Sequence, residues 1–179
     1  MIPLPSLSEA LPPITAALDA APFADRVNWM RGLGKKDLVA LWTLSEGRDV
    51  PISYLHGAEG QVIIHEGQNS LLAFNHFQKR VVLRNGRVQG YNEQSMAWLT
   101  GPGHFLVQPG EGASYFDYTV TVPDAPDVFP PVKSNDAGLS KLVYGGMIDK
   151  LRRVAEKAII GAAFRGGKAT GDYFMLQKE

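Results

Sequence analysis

From residue 61 to the C-terminus, the sequence consists of short runs of β-branched and aromatic residues separated by glycine, proline and asparagine. Such runs are typical of β-strands, and the residues between them are typical of tight turns. The clearest turn is Arg84-Asn85-Gly86-Arg87, because Asn-Gly suits the positive φ angles of a two-residue hairpin turn. The candidate strands are 61–66, 76–83, 87–93, 96–100, 104–108, 114–122, 141–154, 158–165 and 172–178.

About eight antiparallel strands joined by tight turns leave two sheet edges with unpaired backbone groups. Closure into a barrel removes both edges. The interior of an eight-stranded barrel is filled by side chains or holds one small ligand. Gly145-Gly146, inside the long run 141–154, indicates a bulge or a bend. We therefore predict a mainly β fold, an antiparallel up-and-down barrel over residues 61–179.

The segment before residue 50 has helical periodicity instead. Between Lys35 and Glu46, Leu38, Leu41 and Trp42 recur at the spacing that places them on one helix face. Earlier stretches that follow prolines have the same register. We predict two or three short helices in residues 1–50, packed against the barrel. The 179 residues suit one domain, and we expect residues 1–179 to form it.

Composition excludes several classes of function. Lysine plus arginine and aspartate plus glutamate both number 18, so the chain lacks the positive surplus that nucleic-acid binding usually requires. There is no cysteine, which excludes disulfides and thiolate chemistry. No apolar run has the length of a transmembrane segment, and the proline-containing start does not resemble a signal peptide. We expect a cytoplasmic protein with no nucleic-acid partner.

Motifs for known chemistry are missing from the sequence. It contains no Gly-x-Ser-x-Gly elbow, no His-Glu-x-x-His helix and no strand-linked dinucleotide fingerprint. The four histidines have no recognisable metal spacing. We predict neither a metal nor a cofactor. The histidines are His56, His65, His76 and His104.

The candidate strand 141–154 carries charge on both faces. Asp149, Leu151 and Arg153 project to one face, and the alternating residues around Lys150 and Arg152 project to the other. A charge that points into a barrel must be paired or bound to a ligand. Asp149 with Arg153, or Arg152 alone, is therefore a candidate contact for a carboxylate ligand. The alternative is an exposed ion pair near the barrel mouth.

Candidate catalytic residues come from the strand 114–122 and from the second strand. Tyr115 and Asp117 share a face that is most simply exposed to solvent. If that face lines a cavity instead, the two side chains suit acid–base chemistry. His76 is the third candidate, because polar residues surround it in the sequence.

The final third of the chain combines the segment Val143–Val154, the short motif Ile159-Ile160-Gly161 and the last strand Tyr173–Leu176. In this pattern it resembles bacterial lipocalin-like domains of unknown function. Upstream, His65–Ser70 and Phe77–Arg80 resemble the first and second strands of such a barrel. The resemblance implies a calycin-type barrel whose interior can hold a ligand.

Three functions follow as hypotheses. The first is the binding of a small apolar or amphipathic molecule inside the barrel. The second is a small barrel enzyme of isomerase, cyclase or hydrolase type. The third is a structural or partner-binding module that uses the N-terminal helices or the proline-rich connection 123–141 as its interface. This long connection is either a functional lid or a simple crossing of the barrel end. The candidate ligand-binding residues are Arg80, Tyr91, Trp98, Tyr144, Asp149, Arg152 and Arg153.

Overall fold

A computed structural model describes residues 10–71, 75–95 and 97–179. It begins with three helices: α1 (Leu11–Ala20), α2 (Phe23–Arg31) and α3 (Lys35–Leu44). Helix α3 starts where the Gly34 N–H donates to Asp37 Oδ2 at 2.8 Å, and this bond satisfies one free backbone donor of the first turn. A short 3-10 turn, Ile52–Tyr54, precedes the first strand. The predicted short N-terminal helices are confirmed.

Eight strands form a closed antiparallel barrel in which each strand pairs with the next and the last pairs with the first. This confirms the predicted up-and-down barrel. The Asn85-Gly86 turn has positive φ angles at both residues, 51° and 70°, as its hairpin requires. The strands are β1 (Val62–Asn69), β2 (His76–Arg84), β3 (Arg87–Glu93), β4 (Phe105–Gln108), β5 (Tyr115–Asp117), β6 (Met147–Ala155), β7 (Ala158–Arg165) and β8 (Lys168–Lys178).

Three candidate strands differ from the structure, and two of them, 96–100 and 141–154, contain a helical turn among their described residues. Residues Ala97–Thr100 form a single helical turn, α4, which opens with a hydrogen bond from Ala97 N–H to the Gln94 carbonyl. The run 141–154 begins with another helical turn, α5 (Ser140–Val143), and its strand starts only at Met147. Gly146, with φ of 64°, joins the two elements. The glycine pair therefore marks a boundary between elements and not a bulge within a strand.

The candidate strand 114–122 is much shorter in the structure. Strand β5 ends at Asp117, whose Oδ1 accepts hydrogen bonds from the backbone N–H of Thr119 at 2.9 Å and from its hydroxyl at 2.6 Å. An aspartate that bonds the backbone two residues ahead forms a turn and competes with strand pairing. The side chain of Asp117 thus ends the strand.

The three helices cover the outer face of β6, β7 and β8. Helix α1 packs on β6, α2 packs on β8 and β1, and α3 packs on β7 and β8. The cluster between helices and barrel contains Ile14, Leu18, Met30 and Leu38, which are fully buried, and the strand residues Ile160 and Met175. We call this the outer core. It is built from the helical stripes that the sequence predicts.

A second cluster, the inner core, fills the barrel towards one end. Tyr54, the last residue of the 3-10 turn, and Leu55, which follows it, close that end. The Lys178 ammonium donates to the Tyr54 carbonyl at 2.7 Å, and His65 Nε2 lies 3.2 Å from the Leu55 carbonyl oxygen. The opposite end, beside α5 and the β7–β8 hairpin, opens into a cavity.

The long connection between β5 and β6 lies against the outside of the barrel. Phe129 packs against Tyr91 and Val82, on the outer face of β3 and β2. Asn135 Nδ2 donates to the His104 and Tyr118 carbonyls, at 2.7 and 2.9 Å. Within the described part of the chain, none of residues 119–141 lines the barrel cavity.

Candidate functional site

The open end of the barrel contains a cavity of about 370 Å³. Its walls are mostly apolar and include Phe77, Leu142, Met147 and Phe174. Arg165 and Asp172 lie among the lining residues, and Lys79 and Asp149 are the buried charged residues among the described part of the lining. The volume falls within the range of small-molecule sites, which combine apolar walls with a few polar groups.

Lys79 points into the barrel because of the alternation along β2. Phe77, Val81 and Leu83 occupy the same strand face and belong to or pack on the inner core. The Lys79 side chain is only 2% exposed. Its ammonium donates to Asn92 Oδ1 at 2.8 Å, to the Tyr118 hydroxyl, and to Asp149 Oδ2 at 3.4 Å. All three donors of the ammonium are therefore used.

Asp149 and Tyr118 complete a connected polar cluster around Lys79. The Tyr118 hydroxyl lies 3.2 Å from Asp149 Oδ2 and 3.2 Å from Asn92 Nδ2. Asn92 Nδ2 also donates to the Gly103 carbonyl at 3.1 Å, which fixes the orientation of the amide. A buried charge is tolerated when it is paired and hydrogen-bonded in this way. We call Lys79, Asn92, Tyr118 and Asp149 the polar cluster.

Five aromatic rings surround the Lys79 ammonium. Cation–π attraction favours a cation within about 6 Å of a ring centroid. These rings, which we call the aromatic box, therefore stabilise the charged form of Lys79. The distances from Lys79 Nζ to the ring centroids are 4.7 Å for Phe116, 4.9 Å for Phe105, 5.0 Å for Phe174, 5.1 Å for Tyr118 and 5.5 Å for Phe77.

Glycines in the barrel wall make room for three of these rings. A Cβ atom built at any of the three glycines would approach a ring to under 3.0 Å. Rings that lie flat over strand glycines fill the space where those residues have no side chain. The pairs are Gly67 with Phe77, Gly90 with Phe105 and Gly161 with Phe174.

The pKa values of Lys79 and Asp149 are set by two opposed effects, burial of each charge and its pairing with the other. Burial lowers the pKa of Lys79 from 10.5 to about 8, although the neighbouring Asp149 carboxylate acts in the opposite direction. Burial also raises the pKa of Asp149, against the effect of Lys79. Burial raises the pKa of Tyr118 well above its usual value, and the Asp149 charge adds to the shift. Tyr118 therefore keeps its proton and serves as a hydrogen-bonding group.

Tyr144 forms the next layer towards the mouth. Its ring stacks on Tyr118 with centroids 5.3 Å apart and an interplanar angle of 15°. Its hydroxyl accepts a hydrogen bond from Gln94 Nε2 at 2.8 Å, and burial raises its pKa to about 12. Gly103, with φ of 56°, lies so close to this ring that a Cβ there would overlap it. Tyr144 and Gln94 thus place polar groups beside the cavity wall.

The structure brings two of the seven predicted ligand-binding residues, Tyr144 and Asp149, to the cavity. Tyr91 lies on the outer wall, where its hydroxyl donates to Glu93 Oε2 at 3.0 Å. Arg80 lies on the same outer face of the barrel and donates to Gln78 Oε1 at 3.1 Å. Trp98 is 75% exposed in α4.

The two arginines of β6 lie away from the cavity. Arg152 stacks over Trp42, 3.9 Å from the ring centroid, and donates to the Trp42 carbonyl at 2.7 Å. Arg153 is exposed, next to an irregularity in the pairing of β6 with β7. Of the charged faces of this strand, the one with Asp149 and Leu151 points inward.

The three predicted catalytic residues also lie outside the cavity lining. Asp117 is held by Thr119 at the end of β5. Tyr115 is half-buried and borders a separate cleft on the outer surface, beside Trp42 and Arg152. His76 is exposed at the start of β2.

Sequence reasoning missed Lys79, Asn92 and Tyr118 as site residues. A signal for Lys79 was present, because it is the one charged residue on the alternate positions 77, 79, 81 and 83, which are otherwise apolar. A lone lysine on an apolar strand face needs a buried partner. The partner, Asp149, lies on another strand of the barrel, and no local pattern connects the two.

No helix within residues 10–71, 75–95 and 97–179 has both the length and the apolar character that a membrane crossing requires. In the same ranges, no group of three or more histidine, aspartate or glutamate side chains is arranged to hold a metal ion.

Comparison of the chain with protein-family profiles, with curated proteins and with solved structures gave no match.

Proposed function

We propose that the protein binds a small, largely apolar molecule that carries a polar group at one end. The observation that supports this most is the cavity of about 370 Å³, whose apolar walls lead to the Lys79–Asp149 pair. An apolar ligand body would pack against Phe77, Met147 and Phe174. Its polar end would exchange hydrogen bonds with the polar cluster. Few, oriented polar groups in an apolar cavity are the usual means of fixing a small ligand.

The charge balance of the polar cluster favours an uncharged polar group on the ligand. Lys79 and Asp149 are 3.4 Å apart and neutralise each other. A ligand carboxylate that approaches Lys79 meets the Asp149 charge, and a ligand ammonium meets Lys79. A hydroxyl or carbonyl group faces neither repulsion, and its oxygen can accept a hydrogen bond from Lys79, Asn92 or Tyr118 in exchange for one that the cluster makes internally. The proposed ligand class is therefore apolar alcohols, aldehydes and ketones.

We also propose that the barrel is lipocalin-like, with the ligand held inside it. The closed topology, in which every strand pairs with its sequence neighbour, supports this view. So does the contrast between one end closed by the 3-10 turn and the other end open. Eight strands give an interior of the size that suits one small ligand.

The test is occlusion of the cavity. Ala163 lines it and is 8% exposed, so Ala163→Phe fills part of the space. Ala169, on the neighbouring strand, is exposed and outside the lining, so Ala169→Phe adds the same ring without filling the cavity. The probe is N-phenyl-1-naphthylamine, an uncharged molecule that fluoresces in apolar surroundings. We expect Ala163→Phe to weaken its binding at least tenfold, about 1.4 kcal/mol, and Ala169→Phe to leave it unchanged.

Native mass spectrometry of the purified parent protein provides an independent readout, since a copurified ligand appears as an added mass that Ala163→Phe removes. The proposal fails if the parent protein does not bind the probe. It also fails if Ala163→Phe and the parent bind it equally well.

A further inference from the structure

Lys79 is a primary amine at the edge of an apolar cavity. Among the described side chains that line the cavity, it is the only lysine. A neutral amine in such a place can attack the carbonyl group of a bound ligand, because desolvated lysines are the usual source of imines in proteins. The proposed ligand class already includes molecules with a carbonyl group at the polar end.

We propose that Lys79 forms an imine with apolar aldehydes that enter the barrel, so that the cavity captures this class of ligand covalently and reversibly. This inference rests on the proposed function, because the aldehyde must first bind in the cavity. The carbonyl carbon would take its place beside Lys79 Nζ, and the carbonyl oxygen would lie near the Tyr118 hydroxyl.

Several charged and polar groups face the Lys79 ammonium. Asp149 of β6, Tyr118 after β5 and Asn92 of β3 contact it, and His65 of β1 is its cross-strand partner. Burial lowers the pKa of Lys79 to about 8, so an appreciable fraction of the side chain is the neutral, nucleophilic amine at slightly alkaline pH. The carboxylate and the aromatic box limit this fraction, because both favour the cation.

The polar cluster can move the protons that the reaction requires. The Lys79 ammonium first releases one proton to Asp149, and the amine lone pair then forms a bond to the carbonyl carbon. The electron pair of the C=O π bond moves to the oxygen, which takes the proton back from Asp149, directly or through the Tyr118 hydroxyl.

A second proton then passes from nitrogen to the same oxygen, and the C–O bond breaks as water leaves. The third ammonium proton stays on the iminium nitrogen, whose positive charge is paired with Asp149. One aldehyde and one ammonium thus give one iminium and one water, and no oxidant or reductant is involved.

The test uses 2-naphthaldehyde with sodium cyanoborohydride, which reduces an imine to a stable secondary amine. Peptide mass mapping then reports which amines carry the label. We expect Lys79 in the folded protein to be labelled at least tenfold faster than any exposed lysine, and we expect this preference to disappear in urea. Exposed lysines and the α-amino group, whose usual pKa is about 8, provide internal references in the same sample.

Two variants and a matched alcohol, 2-naphthalenemethanol, separate the imine from simple binding. Lys79→Arg keeps a cation beside Asp149 but removes the primary amine, so it should give no adduct at position 79, while the exposed lysines are labelled at the rate seen in the parent. Ala163→Phe should reduce labelling of Lys79 and leave labelling of the exposed lysines unchanged. If the alcohol binds the parent and Lys79 is labelled no faster than the exposed lysines, the imine is overturned and the proposed function stands. If the alcohol does not bind at all, both are overturned.

Discussion

The two cores that share strands β6, β7 and β8 differ in chemistry. On the outer face, most of the buried residues are apolar, as Leu38, Ile160 and Met175 show, and a buried polar contact there joins Arg26 to Gln177. On the inner face, the same strands pack against aromatic rings and carry Asp149, whose cationic partner comes from β2. The outer core therefore depends mainly on complementary apolar shapes, whereas the inner core also contains a buried ion pair whose two charges must be placed against each other.

Stability alone is a poor explanation for the ion pair of the inner core. Replacing a buried ion pair with well-packed apolar residues is often neutral or stabilising, so such a pair is weak evidence of a stabilising role. The Lys79–Asp149 pair also lies at the cavity, where a purely structural core would have ended in apolar side chains. We therefore assign the fold's stability mainly to the outer core and to the closed end, and the proposed ligand contacts to the polar cluster.

The largest expected effect comes from separating the ion pair. Lys79→Met leaves the Asp149 carboxylate buried without its cationic partner, which costs about 3 to 5 kcal/mol of unfolding free energy. Urea unfolding followed by circular dichroism measures the loss. The double variant with Asp149→Asn removes both charges and should recover most of it. A double variant that loses the sum of the two single effects would contradict the pairing of these side chains.

A smaller loss, confined to stability, is expected in the outer core. Leu38→Ala, at a fully buried position of α3, should cost about 3 kcal/mol, since deletion of a buried leucine side chain leaves a cavity. Binding of N-phenyl-1-naphthylamine should not change under native conditions. Val39→Ala is the matched control, because Val39 is 38% exposed on the same helix and its truncation should change stability by less than about 0.5 kcal/mol. Weakened probe binding in the folded Leu38→Ala protein would show that the two cores are coupled.

The fold was predictable because its signals are local. Hairpin turns such as Asn85-Gly86 and the apolar stripe of α3 each depend on residues that are close in sequence. The errors also have local causes. A four-residue run such as Ala97–Thr100 is too short for its periodicity to separate a helical turn from a strand. The end of β5 depends on a side-chain hydrogen bond made by Asp117, which the strand pattern does not register.

The site was much less predictable, because it depends on pairing between distant strands. The sequence shows that one charged face of β6 must point inward, but the choice of face is fixed by the register against β5 and β7. Lys79 and Asp149 are 70 residues apart. The match between wall glycines and aromatic rings, as in Gly161 and Phe174, likewise becomes visible only when the strands are aligned.

The smallest of the expected effects concerns pH and distinguishes the inner core from the outer one. His65 is fully buried at the closed end, and burial lowers its pKa from 6.5 to about 4. Between these values the unfolded chain binds a proton that the folded protein does not, so acid favours unfolding. The contribution of His65 is fully present above pH 6.5 and is lost as the pH falls towards 4, by about 2 kcal/mol at about pH 5. Unfolding free energies measured by urea titration across this range test the effect.

His65→Gln isolates this contribution, because glutamine does not titrate and can still donate a hydrogen bond to the Leu55 carbonyl. The variant should have a smaller decrease in unfolding free energy between pH 7 and pH 5 than the parent, whatever its stability at pH 7. His76→Gln is the matched control, since His76 is exposed at the barrel mouth. If the unfolding free energies of the parent and of His65→Gln decrease equally between pH 7 and pH 5, the buried imidazole is not responsible. The acid sensitivity would then have to come from the carboxylates. If the unfolding free energy decreases less in His65→Gln but not in His76→Gln, then the inner core, unlike the mainly apolar outer core, makes the stability of the barrel depend on pH.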